Sequence, residues 1–245
     1  MNVVIYNDCD VDSYKHFGCE LVMETFRDQL KRVDCNLIGT VTKDDLTQQR
    51  FAHIKKTLDK ADLVIVNGEG SFHSNRRNDI HHVAKHWPSI LVNSIYQNNS
   101  FGHHLKHFKF ISCRESFSAR QAEKDSGMKV EVIPDVIFTN KRLTKLKLKG
   151  TQEHVTINHF DQGDLSTNNS AKTFLKEIVK YESITSISFH SLIIAIMLGQ
   201  NIKEIIPTTT HKNDALINDY NRIGKDYISW AQVEINNLFD RIHTF

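Results

Sequence analysis

ADLVIVNGEGSFHSN (residues 61–75) carries a run of Leu, Val and Ile straight into Asn67-Gly68-Glu69-Gly70-Ser71, and a His-rich polar segment follows. An apolar run without alternation is the pattern of a strand covered on both faces, and such strands belong to parallel sheets flanked by helices. Working outward, NVVIY (2–6), CNLIGTV (35–41), SILVNSIY (89–96), FKFISCR (108–114) and KVEVIPDVIF (129–138) read the same way. Between them GCELVMETFRDQLKRV (18–33), DDLTQQRFAHIKKTLDKA (44–61) and SFSARQAEKDSG (116–127) show helical spacing, the last closed by Gly127. A short helical piece is expected around 101–108. Strands alternating with helices predict a Rossmann-like α/β domain over residues 1–140.

NKRLTKLKLKG (140–150) is basic and has no acidic residue, as expected of a linker or crossover. Beyond it, HVTINHF, the start of SITSISFHSLIIAIMLG, and IKEIIP read as strands; SAKTFLKEIVKY, the apolar end ahead of Gly199, and DYISWAQVEINNLFDRI read as helices. Residues 151–245 are thus expected to form a second, reduced Rossmann-like domain, with the last helix able to return onto the first.

The 245 residues are 40% hydrophobic and 24% charged, ordinary for a globular protein. The net charge of +2 points to neither a nucleic-acid nor a membrane partner. No apolar run reaches membrane-span length and no basic leader is evident, so the expected location is cytoplasmic. Cys9, Cys19, Cys35 and Cys113 lack finger spacing and read as reduced thiols.

Glycines at the carboxyl end of a parallel strand either let backbone N–H groups meet an anion or make a plain positive-φ turn. The loop is neither GxGxxG nor a P-loop. His73, just after it, is a ligand contact or an exposed loop histidine. Of the 14 histidines, His82/His86 and His103/His107 have i, i+4 spacing, but HExxH is absent, and they read as surface residues with no metal expected. Arg114 ends a buried strand where its planar fork suits phosphate or carboxylate, or pairs with Glu69 or Glu115; Ser116 or Ser118 would cap the next helix. His190 stands at a strand–helix junction. His211 and Lys212 follow the next strand.

DLVIVNGEGSFH, FISCRESFSARQAEKDSG, VEVIPDVIF, SISFHSLIIAIMLG and IIPTTTHK, in this order, resemble the polysaccharide pyruvyltransferase family. The resemblance implies a GT-B-like pair of Rossmann-like domains with the active site between them. It implies transfer of a pyruvyl unit from phosphoenolpyruvate to a sugar of a cell-surface polysaccharide or its lipid-linked precursor, with no cofactor. It puts the anion-binding arginine on Arg114, the key histidine on His190 and the lysine on Lys212; the loop reading adds Gly68, Gly70, Ser71 and His73 as substrate contacts. Ser188 stands where the family has arginine, and GEG where GGG is usual. Glu69 is the candidate base, or the residue that orients Arg114. Two other readings stay open: a GT-B glycosyltransferase using a nucleotide-activated sugar, and a non-catalytic glycan- or anion-binding relative.

Overall fold

The computed structural model describes residues 1–10, 16–42, 54–70, 72–76, 80–158 and 164–245. Two parallel sheets organise them. The first has six strands in the order β2-β1-β3-β4-β5-β6: β1 (Asn2–Tyr6), β2 (Asn36–Val41), β3 (Leu63–Glu69), β4 (Ser89–Ser94), β5 (Phe110–Cys113) and β6 (Glu131–Val132). The helices accompanying it are α1 (Phe17–Arg32), α2 (Ile80–His86) and α3 (Ser116–Ser126). The second sheet has the order β10-β9-β7-β8, from β7 (Gln152–Asn158), β8 (Leu165–Ser166), β9 (Tyr181–Ser186) and β10 (Asn201–Ile205). It carries α4 (Ala171–Ile178), α5 (Phe189–Leu198) and α6 (Lys212–Ile223). The chain closes with α7 (Tyr227–Asp240).

Every residue of β3 and β4 is buried, which is why both read as unbroken apolar runs. Gly127 and Gly199 end α3 and α5 with φ of 68° and 67°, the left-handed conformation expected of a helix-stopping glycine. The expected piece at 101–108 is a 3₁₀ turn, Gly102–His107.

Two expectations need correction, and two elements were not foreseen. KVEVIPDVIF is a strand only at Glu131–Val132: Pro134 has no N–H to give a ladder, and Asp135 caps a 3₁₀ turn, Val136–Thr139, by accepting the Ile137 N–H at 3.1 Å. Glu115, not Ser116 or Ser118, is the N-cap of α3, accepting the Ser118 N–H at 2.9 Å. Helix α6 and the two-residue strand β8 had no place in the sequence reading; HKNDALINDY is too polar for its periodicity to stand out. Of the helix expected over 44–61, residues 44–53 lie outside the described residues and 54–58 are helical.

One hydrophobic cluster crosses both sheets, joining Val3, Ile65 and Val92 of the first to Val155, Ile157 and Ile184 of the second. Helix α7 does return to the first half. Phe239 meets Phe26 of α1 at 6.0 Å between ring centroids, Arg32 pairs with Asp240 at 2.6 Å, and Gln232 Nε2 donates to the Phe138 carbonyl at 3.1 Å. No helix among the described residues is long and apolar enough to cross a membrane.

Candidate active site

The carboxyl ends of β1, β3 and β4 are tied by asparagines. Asn7 Nδ2 donates to the Asn67 carbonyl at 2.6 Å, Asn93 Nδ2 to Asn67 Oδ1 at 3.1 Å, and Val136 N to Asn93 Oδ1 at 3.3 Å. This buried polar ladder fixes the turn that carries Asp135 against the end of β3. Satisfied networks of this kind hold one geometry, because a partner lost in the interior is costly.

The two glycines of the β3 loop serve separate purposes, and neither supplies the positive φ of a turn. Glu69 itself holds φ 46°. A Cβ on Gly68 would lie 2.4 Å from Ser94 Cβ and 2.8 Å from its Cα, so Gly68 permits the close approach of β4. A Cβ on Gly70 would meet only Lys212 Nζ at 3.5 Å and Arg114 NH2 at 3.8 Å. The absent side chain leaves a space flanked by two cations. Ser71 lies outside the described residues.

Arg114, buried to 1% exposure, donates from NH1 to Asp135 Oδ2 at 2.6 Å and to Glu69 Oε2 at 3.2 Å. Its guanidinium stacks on Phe189 at 4.1 Å. The pairing with Glu69 that the sequence allowed therefore exists, while Arg114 Nε has no partner and NH2 faces the Gly70 space. Burial opposes the Arg114 charge, but Glu69 and Asp135 more than compensate and raise its pKa. Burial likewise would raise Asp135, yet His190 and Arg114 hold it below the usual carboxylate range.

His190 is the second residue of α5, after the N-cap Ser188. Its Nε2 lies 3.5 Å from Asp135 Oδ2 and 3.8 Å from Glu69 Oε1, and it completes no hydrogen bond. The ring fits against the first turn of α1 because residue 18 is glycine: a Cβ there would sit 2.1 Å from His190 Nδ1. Ser188, in the place of the family arginine, has its N–H on Ser186 Oγ at 3.0 Å and its carbonyl accepting from Ser191 Oγ at 2.8 Å, which pins the helix start.

Lys212 opens α6 and makes no hydrogen bond or ion pair among the described residues. A cation at a helix N-terminus faces the positive end of the dipole. Burial first, and then the neighbouring Arg114, lower its pKa to about 8, with Glu69 acting the other way. His73 is buried rather than an exposed loop residue, and burial, then Arg76 and Lys212, lower its pKa. His211 instead packs beside Phe117, tilted by 57° with ring centroids 5.1 Å apart, and gives its N–H to Gln97 Oε1 at 2.9 Å, a latch between the halves.

The structure thus brings Glu69, Gly70, Arg114, His190 and Lys212 together. It adds residues that the sequence reading did not select. Asp135 is one; its signal was a Pro-Asp pair directly after a strand. His16, the N-cap of α1, accepts the Gly18 N–H on Nδ1 at 3.1 Å, which leaves Nε2 facing Cys19 Sγ at 3.6 Å. Cys9 Sγ lies 3.9 Å from Glu69 Oε1. The hydrogen bond with Cys9, and after it that with His16, lowers the Cys19 pKa against the effect of burial. No spacing in the sequence joins these groups. His82, His86, His103 and His107 are exposed, in line with their reading as surface residues.

Among solved structures, an uncharacterised protein of Klebsiella pneumoniae subsp. pneumoniae NTUH-K2044 superposes with a TM-score of 0.59 at 16% identity, over 90% of each chain, a likeness of fold. No curated protein matches the chain. The family model for polysaccharide pyruvyl transferase matches residues 16–206, which span Glu69, Arg114, Asp135 and His190. With that match over more than half its length, the chain belongs to the polysaccharide pyruvyl transferase family.

Proposed function

We propose that the protein transfers the enolpyruvyl unit of phosphoenolpyruvate to two hydroxyls of one sugar, forming a pyruvyl ketal on a surface polysaccharide or its precursor. The observation that carries this reading is the Gly70 space, where Arg114 NH2 and Lys212 Nζ converge beside two carboxylates and an unpartnered imidazole nitrogen. Arg114 is already compensated by Glu69 and Asp135, so Lys212 is the cation that an anion entering this space would pair with. Phosphoenolpyruvate brings a phosphate and a carboxylate.

In this reading the acceptor hydroxyl adds at C2 of the enol as a proton is delivered to C3, and phosphate leaves. The second hydroxyl then closes the ketal. Glu69 takes the hydroxyl proton, His190 delivers a proton or holds the donor carboxylate, and Arg114 with Lys212 binds the anionic groups. Asp135 holds Arg114 and sets the position of His190. The groups come from two Rossmann-like halves, 1–140 and 151–245, arranged in the GT-B manner with the ligand between them.

The test is phosphate release from phosphoenolpyruvate with a panel of sugar acceptors. Release that depends on an acceptor supports the proposal. A chain whose melting temperature responds only to CMP- or UDP-sugars would be a glycosyltransferase, and one that binds neither donor would be a non-catalytic relative.

A further inference from the structure

A second positively charged site lies outside this cluster. Arg142, Lys145, Lys147, Lys149, Lys172 and Lys176 line a groove of about 470 Å³ between the 140–150 segment and α4, and no acidic residue is among its lining. The floor is apolar, formed by Leu146, Leu175 and Val179. Only Arg142 is compensated, by Glu20 at 3.0 Å and Glu24 at 3.1 Å on α1. The five lysines are exposed and make no ion pair among the described residues. Between Lys147 and Lys149 in the sequence, and outside the groove lining, stands Leu148, 37% exposed and one of two large hydrophobic side chains exposed among the described residues.

We propose that this groove and its KLKLK segment (145–149), a local basic patch that the net charge of +2 does not reveal, dock the protein on an anionic phospholipid surface. Lysine ammoniums are compact point charges on flexible stems that can spread over a field of headgroups, whereas bidentate recognition of one phosphate typically uses a planar arginine fork. Of the cations here only Arg142 has the fork, and its NH1 is already held by Glu20 and Glu24. A nucleic-acid strand would call for aromatic stacking surfaces, and the lining has none. Leu148 is the element a soluble polyanion would not use: an apolar side chain between basic neighbours enters the boundary between headgroups and acyl chains.

The placement suits this role. Glu20 and Glu24, which hold Arg142, lie one and two turns along α1 from Phe17, whose ring approaches His190 at 6.4 Å. Docking by the groove therefore sets the membrane beside the α1 edge of the candidate active site. The proposal stands on the groove alone and does not depend on the pyruvyl-transfer reading.

The experiment is co-sedimentation of the full chain with vesicles of phosphatidylcholine, with and without phosphatidylglycerol. Binding is expected only to the anionic vesicles, and it should weaken as salt is raised. Each lysine near such a surface contributes about fivefold in partitioning, so the triple change Lys145→Gln, Lys147→Gln, Lys149→Gln should lower it by roughly a hundredfold. Leu148→Gln, which keeps every charge, should lower it severalfold. Lys124→Gln, an exposed lysine on α3, should leave it unchanged. Far-ultraviolet dichroism confirms that each variant is folded. Failure to bind anionic vesicles, or equal losses for Lys124→Gln and the triple variant, would overturn the proposal. Binding of a heparin fragment that rivals the vesicles, with Leu148→Gln behaving as wild type, would replace the membrane with a soluble polyanion.

Discussion

At the scale of single residues, the question is what each charged group does when the donor is bound. Glu69 sits within reach of both Arg114 and His190. If it acts as the general base proposed above, it would contribute about 10²–10⁴-fold in rate, and Glu69→Gln should then cut kcat by that factor with little change in donor affinity. Loss of donor binding with kcat retained would make it a partner of Arg114 instead. In the proposed reading, Lys212 carries the pH dependence of donor binding. With its pKa lowered to about 8, it is charged below that pH and neutral above, so donor affinity should fall as pH rises through about 8. Lys212→Arg keeps its charge across that range and should remove the break in a titration of donor dissociation constant against pH. Gly70→Ala meets only ordinary contacts, so it should fold normally yet weaken donor binding by filling the space between the cations.

At the scale of elements, the start of α1 and the start of α5 meet at one histidine. Gly18 lets the first turn of α1 lie flat on the His190 ring. Gly18→Ala forces 2.1 Å between the new Cβ and Nδ1, so the imidazole or the helix must move. Overpacking of this kind costs about 1–3 kcal/mol. A lower melting temperature together with a large loss of kcat is expected; full activity would show that His190 need not hold this position. Helix α6 acts on α3 in the same fashion, since Asp219 Oδ2 accepts the Ser116 N–H at 2.7 Å and so satisfies a helix end from the other half of the chain.

At the scale of the whole molecule, the two sheets share one core and α7 seals it. Phe239, 1% exposed against Phe26, should cost about 3–5 kcal/mol when changed to alanine. Because the cluster spans both halves, denaturant unfolding followed by fluorescence and dichroism should show coincident transitions that shift together in Phe239→Ala. Separate transitions for the two halves would contradict a shared core.

The sequence by itself determined the parallel sheets, through the unbroken apolar runs of β3 and β4. It also determined the helix stops at Gly127 and Gly199 and the placing of Arg114 at the end of a buried strand. These are local properties: burial on two faces removes alternation, and only glycine adopts positive φ without strain. The tertiary structure decided the rest. Asp135 is an ordinary residue after a proline until the asparagine ladder brings it 2.6 Å from Arg114. Gly18 reads as the start of an amphipathic helix, Cys19 as a reduced thiol and His16 as nothing singled out, and they join the site only because α1 packs on α5. The glycines of GEG were legible as a special loop, but their purpose was not. Whether a glycine serves positive φ, strand approach or open space depends on what faces its missing Cβ, and chain segments distant in sequence supply that.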